Sequence, residues 1–374
     1  YIPEGLATLS GVTRDEIAER ILGGKPRLTN VYHTTAGDIG VIMLPCFEID
    51  FYKDLENLRS LVIAAAALAT QAGAKTMSLT GVIPSATNQG REIARWIEEV
   101  ENAPAITTGN ATRAATIVKS IEGILSAADR SLDRETMSVV GLGSIGFGTL
   151  RLTLDVLPHP EHLILCDPYQ NDVQMSQFRD RIREAGYEGE VDIVKNGGAL
   201  PPEVYQASLV VASSNLPGVL DVKSLREDTL VVDYSFPPAF RVEDAIKRFL
   251  QDKDILFTTG GELCLPEVVR ETVYLPEAIG DGASEELEKG FLHFLTSRDR
   301  HEITGCILVS ALTGASEEIR PTLGSLGNED ALAHYRNLDS LNIRPARMQM
   351  NGFFLPEEKI EEFRRRSQGA SASS

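Results

Sequence analysis

Cysteine is scarce in this 374-residue chain: there are four, Cys46, Cys166, Cys264 and Cys306. So low a count excludes a disulfide scaffold, and a reducing, cytoplasmic setting fits it. No CxxC and no Cys/His cluster with metal-ligand spacing is present among the four cysteines and six histidines, so no metal site is expected. Positive charge is in deficit as well, with 36 Lys and Arg against 54 Asp and Glu and a net charge of −18. That balance excludes broad attraction to nucleic acid or to an anionic membrane surface. Long hydrophobic runs are missing: the strongest, at 61–69, has nine residues, against the roughly 18 to 20 that a membrane span needs. Internal repeats are absent too, and residues 1–5 lack the basic and apolar stretches of a secretion signal. Without an initiator Met, residue 1 reads as a domain boundary, and 369–374 (Gly-Ala-Ser-Ala-Ser-Ser) reads as a disordered tail.

What is there is a chain 43% apolar, enough for a sizeable core and long enough for two to three domains. Residues 29–35 and 39–44 have strand composition around an Ala-Gly-Asp turn, which predicts a hairpin. Helical patterning follows at 51–72 and 89–100, with a short strand at 76–79 between them. Asn110 can cap a helix running to 128, with Ala114, Ile117, Val118, Ile121 and Ile124 on one apolar face. After a charged break at 129–135, short apolar strands alternate with helices. The strands fall at 137–140, 163–166, 191–194, 209–212, 230–233 and 255–258. Such alternation is the pattern of a doubly wound parallel sheet. Beyond 270 helices dominate, at 284–295, 303–315 and 356–366. The expected fold class is therefore α/β: an N-terminal α/β domain (1–135), a Rossmann domain (136–270) and a C-terminal helical region (271–374).

The first strand of that alternation leads into Gly141-Leu-Gly143-Ser144-Ile145-Gly146, a GxGxxG motif between strand and helix. Gly141 permits a tight turn, Gly143 lets a pyrophosphate approach the backbone, and Gly146 brings the helix close to the strand. The helix N-terminus then offers its N–H groups to the phosphates. Asp167, 21 residues after Gly146, can accept a ribose 2′-hydroxyl and would repel a 2′-phosphate, which tilts the expected cofactor to NAD with NADP still open. The other reading of these glycines is a turn of purely structural use.

In such sheets ligands sit beyond the carboxyl ends of the strands. The fourth strand ends in Ala212-Ser213-Ser214-Asn215, small enough to let a ribose and nicotinamide lie on the backbone, or merely a polar turn. The fifth ends in a loop that Pro237 and Pro238 stiffen. The sixth runs into Gly260 and Gly261, which would admit a nicotinamide ring, and then Cys264. Pro266 beside Glu267 reads as a helix start, which would put Cys264 just ahead of a helix N-terminus and favour its thiolate. A small buried hydrophobe is the competing reading for that cysteine, and Cys46, Cys166 and Cys306 keep it. No basic residue lies within eight positions upstream of Cys264, and Arg270 is the nearest downstream.

In order, Leu79-Thr80-Gly81-Val82-Ile83, Thr107-Thr108-Gly109-Asn110-Ala111-Thr112, the glycine loop, Ala212-Ser213-Ser214, Val231-Val232-Asp233 and the Gly-Gly loop with its Cys span roughly 76–267. This series resembles the long-chain acyl-(acyl-carrier-protein) reductases of cyanobacteria. The resemblance implies a two-step reaction in which Cys264 attacks an acyl thioester and the acyl-enzyme is reduced to an aldehyde by a nicotinamide. It also implies NADPH where Asp167 points to NADH, and an acyl-CoA or acyl carrier protein as partner. Thr108, Gly109 and Asn110 are read as substrate contacts. A more distant likeness is to shikimate dehydrogenase, although Thr-Gly stands here where such enzymes carry their catalytic Asp. Non-covalent dehydrogenation of a small alcohol or carbonyl compound, and a nicotinamide-binding module without turnover, stay open beside the reductase. For an acidic carrier protein, Arg179, Arg181 and Arg183 or Arg364, Arg365 and Arg366 are candidate docking faces, or else solvated helix surface.

Overall fold

The computed structural model describes residues 2, 14, 18–19, 22–167, 172–194, 199–274 and 299–371. The chain forms two compact units, one of Tyr1–Gly109 with Leu265–Ser325, the other of Asn110–Cys264 with Leu326–Ser374. Residues 110–135 fall in the second unit, and residues 271–374 divide between the two.

In the first unit the hairpin forms as β1 (Arg27–Thr34) and β2 (Gly37–Met43), closed by the Thr34 hydroxyl donating to the Gly37 carbonyl at 2.8 Å. A 3-10 turn at Glu48–Tyr52 precedes α1 (Leu55–Gln71), so this helix starts later than the patterning predicts, where Asp54 caps it through the Asn57 N–H. β3 (Thr76–Ser78), α2 (Ile83–Ala86), α3 (Arg91–Trp96) and β4 (Ala105–Thr107) follow, with β3 and β4 paired in parallel. Leu58, Val62, Ala66, Ile93 and Ile106 pack into this unit's core.

The second unit opens with α4 (Asn110–Ala128), then β5 (Thr136–Val140), α5 (Ser144–Val156), β6 (His162–Cys166), α6 (Asp172–Glu184), β7 (Glu190–Val194), β8 (Leu209–Ala212), β9 (Thr229–Asp233), α7 (Val242–Gln251) and β10 (Ile255–Thr259). All six expected strands are present and pair in parallel in the order β10-β9-β8-β5-β6-β7. That is the Rossmann order, whose direction of winding reverses between β5 and β8. The run of Val, Leu and Ile with almost no polar alternation in these strands is what burial on both faces demands.

A short strand, β11 (Glu262–Cys264), follows; the chain then returns to the first unit with β12 (Arg270–Val273), antiparallel to β1, β13 (Glu302–Thr304) and α8 (Gly305–Ala315). The second unit is completed by α9 (Asn328–Ser340), β14 (Arg344–Pro345), β15 (Gln349–Met350), β16 (Phe353–Phe354) and α10 (Glu357–Ser371). α10 carries Gly369–Ser371 of the expected tail as helix, whereas 372–374 and the expected helix at 284–295 lie outside the described residues.

α4 departs most from its amphipathic reading. Its apolar face is fully buried as expected, but Thr112, Arg113, Thr116, Lys119 and Ser120 are buried too. α9 covers that polar side. The Lys119 ammonium sits 2.7 Å from Asp339, 2.8 Å from Glu122 and 4.0 Å from the centre of the Tyr335 ring. Burial would lower its pKa, yet bonds to Asp339, Glu122 and Tyr335 together hold it above the usual lysine value. Higher on the helix, Thr112 Oγ1 and His334 Nδ1 lie 2.9 Å apart, and burial pushes the imidazole down to about 4.

Candidate functional site

The glycine loop is built by close packing against β8. Gly141, at φ +91°, donates its N–H to the Cys166 carbonyl, and a Cβ on it would lie 2.3 Å from the Ser213 carbonyl oxygen. A Cβ on Gly146 would lie 2.0 Å from the carbonyl oxygen of Gly141. Both obstacles are backbone, so neither can swing aside. Gly143 is different: nothing stands within 4 Å of where its Cβ would be, so the backbone is open on the side a phosphate would approach. It precedes the first turn of α5, a 13-residue helix whose N–H groups face the loop.

Around the loop, Ser213 donates its N–H to the Val140 carbonyl at 2.8 Å, locking the end of β8 to the end of β5. Asp167 is buried, and one of its carboxylate oxygens accepts the Leu142 N–H at 2.5 Å. The acidic residue beyond β6 therefore fixes the loop's shape. Ser144 accepts the Leu326 N–H, and Leu326 packs where a side chain on Gly148 would go. Ile145 is partly buried against the sheet core.

The end of β10 is the place where Gly260 and Gly261 were expected to admit a nicotinamide ring. The space a side chain would take at these glycines is filled by the protein: a Cβ on Gly261 would lie 3.0 Å from the Tyr234 ring, and one on Gly260 3.2 Å from both Ile117 and Val232. Tyr234 is held by its own loop. Asp233, fully buried, accepts the N–H groups of Ser235 and Ala239 at 2.8 Å each, and burial pushes its carboxyl up to about 6 against those bonds. The same loop is tied to the end of β8, since Ser214 donates its N–H to the Ser235 hydroxyl and accepts the Phe236 N–H.

Cys264 is half-exposed, on β11 rather than ahead of a helix. No helix begins at Pro266; Arg270–Val273 pair with β1 as β12 instead. The helix N-terminus expected to activate this thiol is therefore missing. A basic neighbour is supplied from elsewhere: β11 pairs with β14 antiparallel, with Cys264 directly opposite Arg344, so their side chains share one face. Cys46 and Cys166 are buried, and burial pushes their thiols up to about 11 and about 12.

Cys306 corrects the reading of a plain buried hydrophobe. It is half-exposed at the second position of α8, after Thr304 in N-cap conformation, and its sulfur lies 3.4 Å from the Thr304 hydroxyl. Thr-Gly ahead of an apolar helical run was the signal available in the sequence. In the same unit, Gly109, at φ +70°, rests against Val309 of α8, and Thr108, buried, bonds to Thr322 through both its N–H and its hydroxyl. The expected substrate contacts thus hold the fold at this point. Asn110 is also buried, and it accepts the Arg113 guanidinium at 3.3 Å.

No protein-family model matches the chain, and no curated protein matches it. Among solved structures, the L-tryptophan dehydrogenase of Nostoc punctiforme is similar at 13% identity and a TM-score of 0.40, over 98% of this chain and 83% of that one. The Δ1-pyrroline-2-carboxylate reductase of Thermococcus litoralis, in complex with NADH and L-proline, matches at 14% identity and a TM-score of 0.26, over 33% of this chain and 36% of that one. Shikimate 5-dehydrogenase of Listeria monocytogenes gives 9% and 0.29, over 42% and 53%. In the last two the match spans less than two thirds of the solved chain.

Both basic clusters serve the second unit. Arg364 bonds to the Ala127 carbonyl, Arg366 to the Asp252 carbonyl and to Glu227, and Arg365 to Glu361. Arg179 bonds to the Val191 carbonyl and Arg183 to that of Tyr187, while Arg181 lies over the Phe147 ring at 4.1 Å. A carrier protein would have to compete with these contacts. Among the described residues no helix is long and apolar enough to cross a membrane.

Proposed function

We propose that this chain is a nicotinamide-dependent reductase whose glycine loop holds the pyrophosphate of NAD(P)H. The observation that carries the reading is the loop itself: Gly141 and Gly146 have no room for a side chain, Gly143 is open, and the whole sits at the switch point of the sheet. Asp167 would accept the ribose hydroxyls and disfavour a 2′-phosphate, which supports NADH over NADPH. The cofactor, when bound, supplies a hydride.

The substrate we propose is an acyl thioester, bound to CoA or a carrier protein. The Cys264 thiolate would attack the carbonyl carbon; the carbon–sulfur bond to the carrier breaks, and the carrier thiol leaves with a proton. Hydride addition to the acyl carbon and a proton to its oxygen, followed by loss of the cysteine sulfur, would release the aldehyde and regenerate the thiol. Arg344 beside Cys264 supports an anionic sulfur at that position. A second reading, dehydrogenation of a small carbonyl compound without a covalent step, is favoured by the absence of a helix behind Cys264.

The test is turnover of acyl-CoA and acyl-carrier substrates with NADH and NADPH in parallel, in the wild type, Cys264→Ala and Cys306→Ala. The thioester reading expects an aldehyde product that is lost in Cys264→Ala and kept in Cys306→Ala. Loss in Cys306→Ala alone would move the nucleophile to α8. Full turnover in both variants would leave the non-covalent reading.

A further inference from the structure

At the opposite end of the sheet from the glycine loop, His162 begins β6 and Glu190 begins β7, directly beside each other in the parallel register. Asp192, two residues on, points to the same side of the edge strand as Glu190. One ligand atom from each of the three lies within 4.8 Å of the others. The imidazole is the informative member. Its Nε2 is buried and has no hydrogen-bond partner among the described residues, although an Asp192 oxygen stands only 3.1 Å away. At that distance a ring N–H aimed at the carboxylate would form a good hydrogen bond. The contact falls outside hydrogen-bond geometry and is an ion pair only when the imidazole is protonated, whereas a cation would satisfy both groups.

We infer that His162, Glu190 and Asp192 form a divalent cation site that clips the edge strand β7 to β6. A metal at about 2.1 Å from its ligands spaces adjacent donors about 3 Å apart and opposite ones about 4.2 Å apart; the three ligand atoms lie within 4.8 Å of one another, so a small side-chain rotation brings them to that spacing. One imidazole with two carboxylates is a set for zinc, cobalt or nickel; magnesium and calcium take oxygen alone. Glu190 is exposed and Asp192 about half so, which leaves a route for the ion and room for water to complete its shell. The backbone is fixed beforehand. The Tyr187 hydroxyl donates to the Pro160 and Glu190 carbonyls, Gly189 leaves room for that ring, and Arg179 donates to the Val191 carbonyl. Four residue steps along β6 separate His162 from Cys166 beside the glycine loop, about 13 Å, so this site stands apart from the proposed cofactor site and does not depend on that reading.

Sequence spacing could not show the site, since 27 residues lie between His162 and Glu190 and only strand pairing joins them. The test uses the full chain, stripped with EDTA and titrated separately with Zn²⁺, Co²⁺, Mg²⁺ and Ca²⁺, reading heat, thermal unfolding and the visible Co²⁺ spectrum. Expected are one Zn²⁺ or Co²⁺ per chain, a raised unfolding temperature, and affinity reduced tenfold or more in His162→Gln and Asp192→Asn. His33→Gln serves as the control, because the His33 ring is bonded to Asp38 and Thr272 elsewhere; it should bind as the wild type does. Should either test variant fail to fold, Glu190→Gln, at an exposed position, gives the same reading. No binding up to millimolar metal, or equal binding by the variants, would overturn the site.

Discussion

Two glycine-containing loops leave the carboxyl ends of the same sheet, and they differ in what fills the missing side chains. At the end of β5, Gly141 and Gly146 are excluded volume between backbone segments, while Gly143 faces open space. At the end of β10, Gly260 and Gly261 are packed by Ile117, Val232 and Tyr234. The first loop is shaped to bring something to its backbone; the second is shaped to receive its own neighbours. Glycine in a loop therefore says that room is needed, and only the structure says for what.

The largest effect that could break this contrast is expected at Gly146. Alanine there would push a methyl into the Gly141 carbonyl, and since neither side can yield, Gly146→Ala should lose on the order of 3 kcal/mol of stability in urea unfolding. An unchanged unfolding midpoint would show that the two backbones can part. The second loop is probed next through Asp233, which anchors the segment carrying Tyr234. With a folded pKa raised from 3.8 to about 6, its protonated form is favoured by folding, so its contribution is present in acid and lost as pH rises through 6. Relative to Asp233→Asn, the wild type should lose about 2.4 kcal/mol of stability between pH 4 and pH 7; parallel stability curves for the two proteins would mean that the carboxyl ionises normally. The smallest effect is expected at Gly261, where a methyl meets only a tyrosine ring that can tilt. Gly261→Ala should lose less than about 1 kcal/mol, and its NADH affinity should match the wild type.

Much of the second unit was legible in the sequence, because a buried parallel strand announces itself as a short apolar run and a glycine loop by its spacing. All six strands, the loop and Asp167 follow from such local signals. What escaped depends on pairing between distant segments. Residues 267–273 look compatible with the helix that Pro266 proposes, yet β1 provides an edge for Arg270–Val273, and so Cys264 lost its helix. α4 looks like a surface helix with one apolar face until α9 is laid on the other. Cys306 was missed for a different reason: its local signal, Thr304 ahead of an apolar helix, was present and was outweighed by the apolar residues after it. Arg344 opposite Cys264, and Glu190 beside His162, are neighbours only through strand register.

The central claim is that the open position at Gly143 is where a dinucleotide meets the backbone. NADH titration by fluorescence of the wild type and Gly143→Ala, with thermal unfolding of both, tests it most directly. The account predicts that the wild type binds, and that the variant keeps its unfolding temperature while losing at least about 1.4 kcal/mol of binding, a factor of ten. Equal affinity in the two proteins, or no binding of NADH or NADPH by the wild type, would contradict it.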